Sequence, residues 1–149
     1  MERRGRIWFV VQFLLFCAIL IAPWFRRPDW PFWVRPLGVV LLACGIVVAV
    51  RGYRTLGTSH SPWTDPVSDG RFVSSGVYSY MRHPIYAGWI LATLGLELAA
   101  DSPSGVAVAV ALFVFFDLKS REEERWLVAT YGDYPSYARR VKRFIPFVY

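Results

Sequence analysis

Apolar residues gather along this chain in four runs, and the run lengths set the first expectations. The first, residues 7–24, would extend roughly 27 Å as a helix, about the thickness of a hydrocarbon core. The second, 37–50, is short unless its helix also takes in Trp33 and Val34 across Pro36. The third is 85–100. The fourth, 106–116, is too short to span alone and is expected to continue as one helix through residues 117–129, its lower half standing in water. Several of these segments have none of the polar faces that a soluble helix keeps. The pattern predicts an all-α integral membrane protein with about four transmembrane helices.

The breaks organise the rest. Pro28, Pro31 and Pro36 punctuate the first loop, and Asp101-Ser-Pro-Ser-Gly105 has the composition of a tight turn. Runs three and four are therefore expected to form a helical hairpin. A long segment, 51–84, separates runs two and three and holds Gly52, Gly57, Pro62, Pro66, Gly70 and Gly76. There is no internal repeat and no low-complexity tract. Residues 1–149 read as a single domain, with two N-terminal membrane helices in 1–50 and the chemistry-bearing core in 51–149.

Composition strengthens the membrane reading. Hydrophobic residues make up 55% and aromatics 17%, yet the net charge is +6, so greasy runs alternate with basic clusters. If all four runs cross, 14 Lys and Arg residues fall on one side and 3 (Arg26, Arg27, Arg35) on the other. That asymmetry predicts cytoplasmic N- and C-termini. The first run ends in Pro-Trp-Phe-Arg-Arg without a small-residue cleavage site, so an anchor that stays is expected. Cys17 and Cys44 lie inside apolar runs and read as small buried hydrophobes. The sequence offers no metal-ligand set and gives no reason to expect nucleic acid as a partner.

Two stretches could carry chemistry. In YSYMRHPIYAGW, residues 78–89, Pro84 marks a helix start with His83 at its cap and Arg82 beside it. Free N–H groups and the helix dipole favour an anion there, although a membrane-interface belt would use the same residue types. The second stretch is residues 119–146. Its Glu122-Glu123-Glu124 run is either a solvated face or a source of one inward acid, since Glu123 and Leu127 share a face. After Gly132, the spacing of Tyr134, Tyr137, Val141 and Phe144 predicts an amphipathic helix, with Arg139, Arg140, Lys142 and Arg143 between them.

Taken together, the motifs resemble a known family. The order Gly76-x-Tyr78-x-Tyr80-x-Arg82-His83-Pro84-x-Tyr86-x-Gly88, then Glu123-Glu124-x-x-Leu127-x-x-x-Tyr131-Gly132, then Tyr-x-x-Tyr and a terminal Arg-x-x-Pro is similar to the isoprenylcysteine carboxyl methyltransferases. These membrane methyltransferases also resemble the phospholipid N-methyltransferases. The likeness runs over residues 51–149 and is closest over 72–89; the first two runs match only in being hydrophobic.

The resemblance implies S-adenosyl-L-methionine (SAM) as cofactor, held at the cytoplasmic side between the Arg-His-Pro segment and the paired-glutamate helix. Carried over by position, the cofactor contacts would be Gly70, Arg71, Phe72 and Val73, then Tyr78, then Arg82, His83, Pro84, Ile85 and Tyr86, with Glu123 closing the pocket. Where the eukaryotic carboxyl methyltransferases have an arginine thought to hold the substrate carboxylate, this chain has Lys119, with Arg121 two residues nearer the glutamates. Lys119 and Arg121 are the candidate anchors, and for an amine acceptor Glu123, Glu124 or His83 is the candidate base. The spacing Gly132-Asp133-Tyr134 is one residue shorter than the family's. His60, in a short stretch also resembling the family, reads as structural.

The implied function is methyl transfer to a lipophilic acceptor, a prenylcysteine-like carboxylate or other small lipophilic carboxylate, in a bacterial inner (plasma) membrane. The alternatives are a phospholipid amine N-methyltransferase, an NADPH-using sterol reductase-like enzyme, and a non-enzymatic small membrane scaffold. Membrane lipids are the expected surroundings, and recognition of the acceptor is expected in runs one and two. Oligomeric state stays open.

Overall fold

The structure, a computed structural model, describes residues 3–25, 30–57 and 72–149, the side chains of residues 3 and 4 excepted. Helix α1, Arg3–Ile21, continues into a 3-10 turn, Ala22–Phe25; α2 is Val34–Leu56. A second 3-10 turn, Gly76–Ser79, precedes α3, Pro84–Ala99; α4 is Pro103–Thr130 and α5 is Tyr134–Arg140. Gly5–Phe25, Val34–Leu56 and Pro103–Thr130 are long and apolar enough to cross a membrane. With 16 residues, α3 is an apolar helix of about 24 Å. The second run does reach back to Val34, because Pro36 falls in the first helical turn, where a missing N–H costs no bond. Run four is one helix through the charged region, as its pattern predicts.

α2 and α3 pack on glycine. Gly38, Gly45 and Gly52 lie seven apart on α2 and face α3, where Gly88 and Gly95 face back. A Cβ on Gly88 would stand 2.7 Å from the Ala49 Cβ and as close to the Gly45 carbonyl oxygen. Small residues let backbones touch where apolar surface alone gives no drive to associate in lipid. Gly88→Leu is therefore expected to lower the melting temperature in detergent, with an overpacking cost of about 1–3 kcal/mol or more. An unchanged melting curve would mean that the two helices separate freely.

α1 leans on α4 and α3 through Trp8–Phe115 (ring centroids 5.4 Å apart) and Phe16–Trp89 (5.1 Å). Ile19, Leu112, Phe115, Phe116 and Phe144 form the interior, while Phe13, Leu14 and Leu20 point outward, as in a helix solvated by lipid tails. At the hairpin turn, Arg35 donates through Nε to Asp101 Oδ2 at 2.6 Å, and Ser102 caps α4 by accepting the Gly105 N–H at 3.0 Å. Glu97 lies fully buried, its carboxylate packed against Gly105 at the start of α4.

The C-terminal segment departs from the predicted long amphipathic helix. α5 is only seven residues, because the chain beyond it becomes extended and pairs with the segment before α3. Arg82 N–H donates to Lys142 O at 2.8 Å and His83 N–H to Arg143 O at 3.0 Å. Of the inward set, Tyr134, Tyr137 and Phe144 are buried and Val141 is half-buried, but only the two tyrosines sit on the helix. The segment is a cover clamped over the end of the bundle.

Candidate active site

Two adjacent glutamates on a helix point about 100° apart, and here the divergence gives them different partners. Glu123 turns toward α3. Its Oε1 accepts the Tyr86 hydroxyl, and Oε2 lies 3.7 Å from His83 Nδ1. Glu124 turns toward the C-terminal cover. Oε1 accepts from Arg82 Nε at 2.9 Å and Arg143 Nε at 3.2 Å, and faces His83 Nε2 at 3.1 Å; Oε2 accepts from Arg143 Nη2 at 2.9 Å. His83, 8% exposed, thus stands between both carboxylates. Pro84 starts α3 immediately after it, and stacking holds the ring parallel to Tyr86 (5.5 Å), which stacks in turn on Phe116 (4.4 Å).

Arg82 ties the cluster together. Besides Glu124 it donates through Nη1 to the carbonyls of Ala138 (2.6 Å) and Val141 (2.7 Å). Arg143 closes the network by donating from Nη1 to Asp117 Oδ1 at 2.8 Å, which also accepts the Tyr149 hydroxyl at 2.8 Å. Burial alone would lower the Arg143 pKa, but Glu124 and Asp117 outweigh it and hold the guanidinium above its ordinary value.

Beside this cluster is an aromatic enclosure. Phe72 lies 5.8 Å from the ring of Tyr131, 5.6 Å from Tyr134 and 5.1 Å from Tyr137. Tyr137 donates to the Tyr78 carbonyl at 2.6 Å, and the buried Tyr134 hydroxyl finds no hydrogen-bond partner among the described residues. Burial raises the phenols of Tyr78, Tyr134 and Tyr137, the last to about 12. All three stay protonated donors at neutral pH.

The proposed anchors separate. Lys119, 5% exposed, donates to Gln12 Oε1 of α1 at 3.0 Å and sits 5.4 Å from the Tyr86 ring centroid. Arg121 has a side chain 56% exposed and pairs with Asp117 Oδ2 at 2.8 Å, away from Tyr86. Pro84 and Ile85 are buried, Ile85 against α2 at Gly52, and Val73 is half-buried. Gly70, Arg71 and His60 lie outside the described residues.

The sequence reading missed Asp117, Gln12 and the cross-bracing by Arg143. Arg143 had one signal, the terminal Arg-x-x-Pro. Gln12 had another: it is the one amide in an apolar span, and polar groups inside a membrane are there for a reason.

Fold and site together define an integral membrane protein whose helices carry a polar and aromatic cluster at one end. The chain belongs to the phospholipid methyltransferase family, whose model matches residues 33–134. Among curated relatives, a protein-S-isoprenylcysteine O-methyltransferase B from Arabidopsis thaliana is 31% identical over 78% of this chain and 61% of its own length. The human protein-S-isoprenylcysteine O-methyltransferase is 29% identical over 78% of this chain and 42% of its own length. The cobalt-zinc-cadmium resistance protein CzcN of Cupriavidus metallidurans is 31% identical over 97% of this chain and 64% of its own length. The chain thus spans less than two thirds of each of these relatives. The fold matches that of the eukaryotic intramembrane Ras methyltransferase ICMT, with a TM-score of 0.72 at 23% identity over 99% of this chain and 55% of that one.

Proposed function

We propose that this protein is a SAM-dependent methyltransferase acting on a lipophilic carboxylate, of the prenylcysteine type or another small lipophilic acid. The observation that carries this reading is the convergence of His83, Tyr86 and Glu123 beside the Phe72, Tyr131, Tyr134 and Tyr137 rings. The donor set suits the cofactor. The unpartnered Tyr134 hydroxyl, set among aromatic faces, offers both stacking and a hydrogen bond to a purine. Glu123 has carboxylate capacity left for an ammonium or sulfonium, whereas Glu124 is filled by two arginines. The first-turn N–H groups of Ile85 and Tyr86, which α3 cannot satisfy itself, suit a carboxylate. From the family resemblance, Gly70 and Arg71 complete the cofactor contacts.

When bound, SAM supplies an electrophilic methyl group on a positively charged sulfur. The protein's own work is alignment of the acceptor and exclusion of water. Lys119 serves as the acceptor anchor, because its buried ammonium stands over Tyr86, one helical turn from Glu123. Arg121, turned toward Asp117, plays no such part. A carboxylate acceptor is already ionised and needs no base. The ammonium head of a phospholipid amine would instead meet the like charge of Lys119, and it would require Glu123 or His83 to take a proton.

The two acceptors predict different pH profiles. Methylation of a prenylcysteine with a free carboxylate is expected to show no rise in rate with pH above about pH 5. A rate that keeps rising with pH, on a phosphatidylethanolamine acceptor, would favour the amine reading. The basic-residue asymmetry favours the cytoplasmic face for this end of the bundle, and a bacterial plasma membrane is the setting we propose.

A further inference from the structure

α1 presents one amide to the bundle, and it reaches the buried cation. Gln12 Oε1 accepts from Lys119 Nζ at 3.0 Å, and the same ammonium lies over the Tyr86 ring, whose hydroxyl bonds Glu123. The contact is held in register. Trp8 and Phe16, one turn to either side of Gln12 on the same face, pack on Phe115 and Trp89. We propose that Gln12 and Lys119 together form a two-point clamp for the acceptor's carboxylate, with Gln12 as a specificity-determining residue. This rests on the carboxylate-acceptor reading above.

The argument is one of donors and acceptors. An ammonium has three donors and no acceptor, so the amide must give it Oε1, which leaves the Gln12 NH2 group as a further donor on the same side chain. Lys119 keeps donors beyond the one spent on Gln12. A lone lysine is a point charge without the planar fork by which arginine grips a carboxylate. The amide supplies the missing second donor, so the pair reproduces a two-point contact from two helices. It also puts α1, where the family likeness fades, in contact with the acceptor.

The test uses the full chain in detergent. Trp8, one turn from Gln12, reports binding of a prenylcysteine without turnover, and S-adenosylhomocysteine binding is measured in parallel. Gln12→Glu keeps an oxygen for Lys119 and the side-chain size, but removes the NH2 donors and sets a negative charge against the acceptor. It is expected to weaken prenylcysteine binding and raise its KM about tenfold or more, with S-adenosylhomocysteine affinity changed less than about twofold. Gln12→Leu is expected to weaken acceptor binding likewise, and adding Lys119→Arg, which brings its own fork, to restore it. Wild-type acceptor affinity in Gln12→Glu would reduce Gln12 to a solvating partner of Lys119 and overturn the clamp alone. Wild-type protein that binds S-adenosylhomocysteine but no prenylcysteine would overturn the carboxylate reading, and the clamp with it.

Discussion

Glu124→Ala is expected to yield a protein that inserts but melts much earlier than wild type, with its C-terminal segment open to protease. The side chain is the common acceptor for Arg82, Arg143 and His83. Those two guanidinium groups are only 12% and 16% exposed, so deletion leaves two charges short of their partner inside the fold. Breaking a buried ion pair from one side costs on the order of 3–5 kcal/mol. Both Arg82–carbonyl bonds to Ala138 and Val141 survive the substitution, which keeps the loss below complete unfolding. Limited proteolysis after Thr130, together with a melting curve, checks it. Wild-type resistance would show that the backbone pairing of 82–83 with 142–143 holds the cover without Glu124.

Its neighbour should behave in the opposite way. Glu123→Ala removes an acceptor whose hydrogen bond is with the Tyr86 hydroxyl and whose other oxygen stands 3.7 Å from His83. Only a modest change in melting temperature is expected. Cofactor binding, by contrast, should fall by ten- to a hundredfold, as follows from losing a hydrogen bond to a charged group. Titration of S-adenosylhomocysteine against tryptophan fluorescence measures it, with seven tryptophans as reporters. Two consecutive glutamates thus separate stability from binding. The contrast fails if both variants lose the same property.

Much of this was legible in the residue pattern, and the exceptions share a cause. Apolar runs marked the helices, Asp101 to Gly105 marked the hairpin, and Pro84 marked the start of α3. Each of these is a local signal. What local pattern could not supply was the partner of each charge. Nothing in Glu122-Glu123-Glu124 says which acid meets Arg82 and which meets Tyr86, because that follows from how α4 is rotated against α3. Helical spacing likewise carried Tyr134 through Phe144 as one helix. The competing backbone pairing with Arg82 and His83, distant in sequence, ends it at Arg140 instead. The glycines at 38, 45 and 52 were similarly silent until the facing Gly88 and Gly95 were placed. Lys119 and Arg121 were equivalent as charges, and only packing put one over Tyr86 and the other beside Asp117.

The central proposal is that His83, Glu123 and the aromatic group around Phe72 hold SAM. Its most direct test is a pair of fluorescence titrations on the purified protein, one with S-adenosylhomocysteine and one with NADPH, repeated on His83→Ala. The account predicts saturable binding of S-adenosylhomocysteine only, lost in the variant while the fold persists. Binding of NADPH instead, of neither ligand, or of S-adenosylhomocysteine with unchanged affinity in His83→Ala would contradict it.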